Sequence, residues 1–245
     1  MKNGRSLDDH QSIIQKHNLN TGPPKSNSLF SKMWKASIAI AQQTLQTAFV
    51  QGIKNGTLDP LIYGAFTVSD IYYCCKGAAD YGLAAKRTTD LILRDYLYKK
   101  QFSYERFNRI ICSTWNLSGP ESIRPSTTAK QYSKFETSIA NGTAKEGDVS
   151  DPIFALIVMM PCEYLWVWLA DQLAPPASHN IYANWITSNN DPKGAYAMGN
   201  FLQEYISTHA LDEQLAIQIY RKAIEYEFRN FHDAGSSAKA SAASD

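Results

Sequence analysis

Apolar residues recur at the three- and four-residue spacing of α-helices along most of this chain, and short polar segments separate the runs. At 59–60 and at 151–152 an aspartate precedes a proline, which combines a preferred N-cap with a favoured first helical residue. Ser103 and Asp212 are further candidate N-caps. The pattern predicts helices at about 28–54, 60–85, 89–99, 104–116, 127–141, 152–172, 179–187, 192–208 and 212–232.

The same pattern predicts the fold class and the domain boundaries. No segment shows sustained two-residue alternation between hairpin turns, so we expect an all-α, single-domain, compact helical bundle over residues 28–234. Residues 1–27 are polar and contain Gly22-Pro23-Pro24, which predicts a mobile leader. Residues 235–245 (GSSAKASAASD) are of low complexity and predict a disordered tail.

The amino-acid composition limits the kinds of molecule that this chain is expected to bind and the compartment in which it is expected to lie. The chain has 245 residues, and 24 basic against 23 acidic residues give a formal charge of +1, so no strong field attracts nucleic acid. Its four cysteines form no C-x-x-C pair, and the N-terminus has no apolar signal-peptide core. We therefore expect a cytoplasmic protein without disulfides or structural zinc.

One segment, 152–170 (PIFALIVMMPCEYLWVWLA), raises the question of a membrane span because it approaches the necessary length of about 20 residues. However, Glu163 lies near its middle, Pro161 interrupts it, and no basic cluster flanks it. A helix that is apolar all round can equally be the central helix of a globular core. The sequence favours that second interpretation.

Acidic residues on apolar helix faces are the first sign of chemistry. In the predicted last helix Glu227 falls in the centre of the apolar stripe, where a carboxylate must find partners or hold a proton. Asp70 has Phe66, Tyr73 and Cys74 as its neighbours on the same helix face. Each acid can be a structural core residue, and Asp70 can either bind a donor-rich heterocycle or tie two helices together.

Cys162 is the third candidate, because it follows Pro161 in the most apolar helix and a proline there opens the helix backbone. A buried free cysteine is more often a small apolar core residue, and on the residues alone that interpretation is favoured. The chain contains no H-E-x-x-H, G-x-S-x-G, phosphate-loop or dinucleotide-binding signature. What remains is small-molecule chemistry by Cys, Asp and Glu.

Several short segments follow one another in the order and spacing of a known family. They are 49–53 (FVQGI), 56–58 (GTL), 70–73 (DIYY), 160–162 (MPC), 181–186 (IYANWI) and 227–234 (EFRNFHDA). Together they resemble the TenA family, the thiaminase II enzymes of the haem-oxygenase-like helical fold. The resemblance extends over about residues 30–234 and implies a homotetramer.

The resemblance implies hydrolysis at the aminomethyl carbon of a 4-amino-2-methylpyrimidine. Substrates would be 4-amino-5-aminomethyl-2-methylpyrimidine, which releases ammonia, or thiamin, which releases its thiazole. In this family pattern Cys162 is the nucleophile, Asp70 holds the pyrimidine and helps to activate the thiol, and Glu227 protonates the leaving group and then activates water. Tyr73, Tyr132 and Phe49 would belong to the pyrimidine pocket, and the resemblance implies that the reaction needs no metal or organic cofactor.

The chain departs from the family pattern at three pocket positions. Trp166 and Asn189 stand where the family commonly has tyrosines, and Glu163 beside the nucleophile is unusual. We expect all three to face the substrate. Two alternatives stay open: a cofactorless oxidase similar to PqqC, which would want histidines that are scarce here, and a heterocycle-binding or regulatory protein without turnover.

Overall fold

The computed structural model describes residues 20–242, with side chains as far as residue 236. These residues form helices and no strand, which confirms the all-α prediction. The helices are α1 Leu29–Leu45, α2 Ala48–Asn55, α3 Pro60–Arg87, α4 Leu91–Thr114, α5 Thr127–Ala140, α6 Ile153–Leu173, α7 Ala183–Asn189, α8 Lys193–Ile206 and α9 Glu213–Ala242, with one 3₁₀ turn at Pro120–Ser122.

The predicted helix boundaries are wrong at two places. The segment predicted as one helix at 28–54 is two helices, because the Thr47 side chain accepts a hydrogen bond from the amide of Val50 and begins α2. The two helices predicted at 89–99 and 104–116 are one helix, α4. Its N-cap is Asp90, which accepts from the amide of Leu93 at 2.7 Å, and Ser103 lies inside the helix instead of capping it.

At both ends of the domain the structure shows contacts or helix beyond the predicted helices, as far as it describes them. Residues 20–27 lie against α8, where the Asn200 amide donates to the carbonyl oxygens of Asn20 and Gly22, each at 2.8 Å. The last helix continues to Ala242 instead of ending near 232, because Gly235 is buried against the start of α2. Residues 1–19 of the predicted leader and 243–245 of the predicted tail lie outside the described residues.

Helix α6 is the centre of the core. Every residue from Ile153 to Pro161 is buried, and α6 packs against α3, α5, α8 and α9. The helix is long and apolar enough to cross a membrane, but 67% of its most apolar window is buried inside the protein. That burial is typical of the core helix of a globular protein and agrees with the interpretation favoured by the sequence.

The corner after α2 explains two of the sequence segments. Gly56 ends α2 in the left-handed conformation with φ of 69°, and Asn180 closes the corner by donating to the carbonyl oxygens of Ile53 and Lys54. A Cβ on Gly52 would lie 2.9 Å from the Cβ of Leu58. These glycines therefore have a structural role in this corner.

We expect Gly52→Ala to lower the free energy of unfolding by about 1–3 kcal/mol, because the added methyl meets the Leu58 backbone and Cβ in a packed core. The matched control is Gly64→Ala inside α3, where the nearest atom to an added Cβ is a ring carbon of Trp115 at an ordinary 3.4 Å. That change should be neutral or slightly stabilising. Thermal unfolding of both variants tests this, and equal losses would contradict it.

Candidate active site

Three long helices bring the three candidate catalytic side chains together. Asp70 on α3 and Cys162 on α6 line one cleft of about 390 Å³. Glu227 on α9 lies behind the cleft wall, where its Oε2 accepts a hydrogen bond from the Trp166 indole at 3.4 Å. Only 3% of Glu227 is exposed. The cleft therefore opens on the half-buried Asp70 and Cys162, with the buried Glu227 behind them.

Burial changes the protonation of both acids. Burial raises the pKa of Glu227 to about 8, helped by the nearby charge of Asp70 and opposed by the Trp166 indole, the Tyr132 hydroxyl and the Cys162 thiol. Burial also raises the pKa of Asp70 to about 7, opposed by the Cys74 thiol, which lies 3.9 Å from Oδ2. Near neutral pH, Glu227 is mainly protonated, and Asp70 is present in both its protonated and its ionised form.

The same surroundings keep the candidate nucleophile protonated. Burial raises the pKa of the Cys162 thiol well above its usual value, and the charges of Glu227 and Asp70 raise it further. A thiolate here therefore needs a base that takes the proton as the sulfur reacts. Asp70 is suited to that task, because it lines the same cleft and titrates near neutral pH.

Two tyrosines and a third acid lie in the core close to the three candidate catalytic residues. The rings of Tyr73 and Tyr132 are 4.7 Å apart, and the Tyr73 hydroxyl donates to Glu136 Oε1 at 2.6 Å. The Tyr132 hydroxyl and Glu136 Oε2 are buried and make no hydrogen bond with any of the described residues. Burial raises the pKa of Glu136 well above its usual range. Tyr73, Tyr132 and Glu136 line neither the cleft nor the smaller cavity at Asp70, so the structure places them in the core behind the site.

Glu136 was missed by the sequence analysis, although a signal was present. Its neighbours on the same face of α5 are Tyr132, Ile139 and Ala140, all buried, and Glu136 itself is fully buried. This is the arrangement that singled out Glu227 and Asp70.

An aromatic wall closes one side of the cleft. The Trp166 ring lies 5.9 Å from Phe66, 5.5 Å from Trp185 and 5.6 Å from Phe231. Phe49 lies behind this wall, 4.4 Å from Phe66, and is not among the residues that line the cleft. The structure therefore places Phe49 as a support for the wall and not at the cleft surface.

The outer part of the cleft carries the two other departures from the family pattern. Glu163 lines the cleft and forms an ion pair with Lys100 of α4. Asn189 lines it too, with its amide donating to the Trp185 carbonyl oxygen at 2.7 Å. Lys100 was missed by the sequence analysis, because only the tertiary fold brings α4 beside α6.

A smaller cavity of about 190 Å³ also contains Asp70, together with Phe66, Asn230 and Asp233. Neither Cys162 nor Glu227 lines it. The larger cleft is therefore the candidate active site, and Asp70 separates the two spaces.

Comparison with solved structures identifies the architecture. A TenA family transcription regulator from Silicibacter sp. superposes with a TM-score of 0.69 at 18% identity, covering 84% of this chain and 96% of that one. The chain has the TenA fold. TenA homologues from P. horikoshii and Pyrococcus furiosus give TM-scores of 0.67 and 0.64, each at 15% identity, over 85% and 84% of this chain and 99% of theirs. No protein-family model and no curated protein matches the sequence.

The TenA fold brings helices that are distant in sequence together at one site. The buried acids of that site make the stability of the fold depend on pH. The pKa of Glu227 is higher in the folded chain than in the unfolded one, so the wild type loses stability as pH rises from about 5 through 8. Glu227→Gln has no such proton.

We expect the Tm of Glu227→Gln to exceed that of the wild type by several degrees at pH 9 and the difference to shrink towards pH 5, since each pKa unit corresponds to about 1.4 kcal/mol. Thermal unfolding across pH 5–9 measures this. The control is Glu225→Gln on the exposed side of α9, where Glu225 pairs with Arg221 at 3.5 Å. If the difference in Tm between Glu227→Gln and the wild type did not change with pH, it would contradict a raised pKa for the buried Glu227 carboxyl.

Proposed function

We propose that this protein is a cytoplasmic hydrolase of thiamin-related pyrimidines that acts in thiamin salvage without a cofactor. One observation supports this function above others: Asp70 and Cys162 line one cleft with the buried Glu227 behind Trp166 of its wall, and burial raises the pKa values of the two acids to about 7 and about 8. Acids with such values can exchange protons with a substrate near neutral pH.

The proposed reaction replaces a nitrogen leaving group on the 5-methylene carbon by water. The Cys162 sulfur bonds to a ring carbon of the pyrimidine while its proton passes to Asp70, and the carbon–nitrogen bond then breaks. A neutral amine leaves as Glu227 gives it a proton, whereas the thiazolium of thiamin leaves as neutral thiazole with Glu227 already ionised. Glu227, now a carboxylate, takes a proton from water as the water oxygen bonds to the methylene carbon. The sulfur–carbon bond then breaks and the thiol recovers its proton from Asp70, leaving hydroxymethylpyrimidine.

The lining of the cleft fits an aminopyrimidine. Its ring is flat and apolar on both faces, which suits the aromatic side chains that line the cleft, Tyr104, Phe107 and Trp166. Its ring nitrogens and amino group can pair with the Asp70 carboxyl in the same cleft. A cleft of about 390 Å³ is in the range that holds small ligands.

A second candidate is a heterocycle-binding protein without turnover. The raised pKa of the Cys162 thiol favours it, because a resting protonated thiol is a poor nucleophile. The replacement of two pocket tyrosines by Trp166 and Asn189 points the same way. The PqqC-like oxidase has less support, since the residues that the structure places along the cleft include no histidine.

We also propose a small-molecule partner, no nucleic-acid partner and a homotetramer. Leu91, Ile92 and Ile110 on α4 are each more than half exposed, which suits a helix face that another copy covers.

Incubation with 4-amino-5-aminomethyl-2-methylpyrimidine or with thiamin, followed by chromatography of hydroxymethylpyrimidine, tests the reaction. We expect the wild type to form product and Cys162→Ala to be slower by at least about a hundredfold, because the nucleophile is lost. The matched control is Cys112→Ala, a half-buried cysteine of α4 that does not line the cleft, and it should keep full activity. Binding of either pyrimidine without product in the wild type would favour the binding protein.

The pH dependence of kcat/KM should be bell-shaped, rising through about pH 7 as Asp70 ionises and falling above about pH 8 as Glu227 loses its proton. Trp166→Phe keeps an aromatic ring in the wall but removes the indole donor that lowers the pKa of Glu227. We therefore expect its alkaline limb to move to higher pH while the acidic limb stays. A shift to lower pH, or none, would show that Trp166 does not act on Glu227.

A further inference from the structure

The ion pair between Glu163 and Lys100 occupies the wall of the cleft between its closed end and solvent. Glu163 directly follows the candidate nucleophile in α6, and both partners line the same space as Cys162. Their side chains are only 20% and 12% exposed. The Lys100 ammonium also lies over the rings of Tyr104 and Tyr81, at 5.5 and 5.9 Å from the centroids. A pair that is packed on several sides is held in place.

One oxygen of this pair is left available. Lys100 binds Glu163 Oε1, whereas Oε2 makes no hydrogen bond with any residue in the described part of the chain. Oε2 lies over Gly194 near the start of α8, where a Cβ would be 3.1 Å away. Because residue 194 has no side chain, this position of α8 does not crowd the oxygen. Oε2 is therefore an acceptor on a carboxylate that Lys100 holds in place.

A pyrimidine bound at the candidate nucleophile would lie close to this oxygen. Glu163 follows Cys162 in α6 and both line the cleft, so a ring that reaches Cys162 and Asp70 shares that space with Glu163 and Lys100. Asp191 lines the cleft too, but it is exposed and lies 3.7 Å from the ammonium of Lys193. Glu163 Oε2 is therefore a sheltered acceptor for a substituent of the ring.

We propose that Glu163 is a specificity-determining residue that binds a positively charged leaving group through Oε2, with Lys100 as the positioning residue that orients it. The inference rests on the proposed function and names its preferred substrates: pyrimidines whose 5-methylene carries an ammonium, in preference to neutral groups. Charge-assisted hydrogen bonds are roughly twice as strong as neutral ones, which supplies the preference. An ammonium leaves as a neutral amine without a proton from Glu227, so with such a substrate Glu227 reacts as a carboxylate and only takes the proton of the attacking water.

Calorimetric binding in the Cys162→Ala background tests this without turnover. The cationic probe is 4-amino-5-aminomethyl-2-methylpyrimidine, and the neutral probe is its 5-hydroxymethyl counterpart. We expect Glu163→Gln to weaken binding of the cationic probe about tenfold or more and that of the neutral probe at most about threefold. Gly194→Ala leaves every charge in place but crowds Oε2 of Glu163. We expect it too to weaken binding of the cationic probe more than binding of the neutral probe.

The matched control is Glu146→Gln. Glu146 is also 20% exposed and pairs with a lysine, Lys222, but it does not line the cleft, so neither probe should change. Equal weakening of both probes by Glu163→Gln, or an unchanged preference in both Glu163→Gln and Gly194→Ala, would overturn the inference and leave the proposed function standing. Failure of the Cys162→Ala protein to bind either probe would overturn both.

Discussion

The burial of carboxyl groups between α3, α6 and α9 is the constraint on which the site depends. A carboxylate in an apolar interior is costly, so these groups hold protons to unusually high pH, as the pKa of about 8 for Glu227 shows. Such a group stays buried only if the surrounding core compensates. Helix α6 does this by burying a continuous apolar segment among the helices around it, which keeps Glu227 dry while Cys162, on the same helix, reaches the cleft.

The sequence predicted the parts of the structure that depend on local pattern. The helix that begins at Asp59-Pro60 and the burial of Glu227 follow from N-cap chemistry and from the 3.6-residue period, and both are found. The resemblance to the TenA family gave the fold, which the comparison of structures shows. The roles of Cys162 and the other site residues stay predictions.

The features that the sequence did not predict depend on tertiary contacts. Lys100 reaches Glu163 only because α4 packs beside α3 and α6, and nothing in the local pattern of α4 marks that lysine. Phe49 belongs to one of the family-like segments, yet it supports the aromatic wall from behind, because side-chain depth is set by packing and not by motif position. The extension of α9 beyond residue 234 likewise depends on the contact between Gly235 and α2.

The site presents a difficulty that the charge of a substrate resolves. Cys162 must become a thiolate to react. However, burial and the charges of Glu227 and Asp70 all raise the pKa of its thiol. Lys100 is the cation of the cleft wall, and Glu163 already neutralises it. A ligand bearing a positive charge at Glu163 Oε2 would add that charge to the cleft that Cys162 lines, and it would favour transfer of the thiol proton to Asp70 when the pyrimidine is in position. On this account the thiol keeps its proton until a cationic substrate binds and Asp70 takes it, so that one interaction contributes both to selection of the substrate and to activation of the nucleophile.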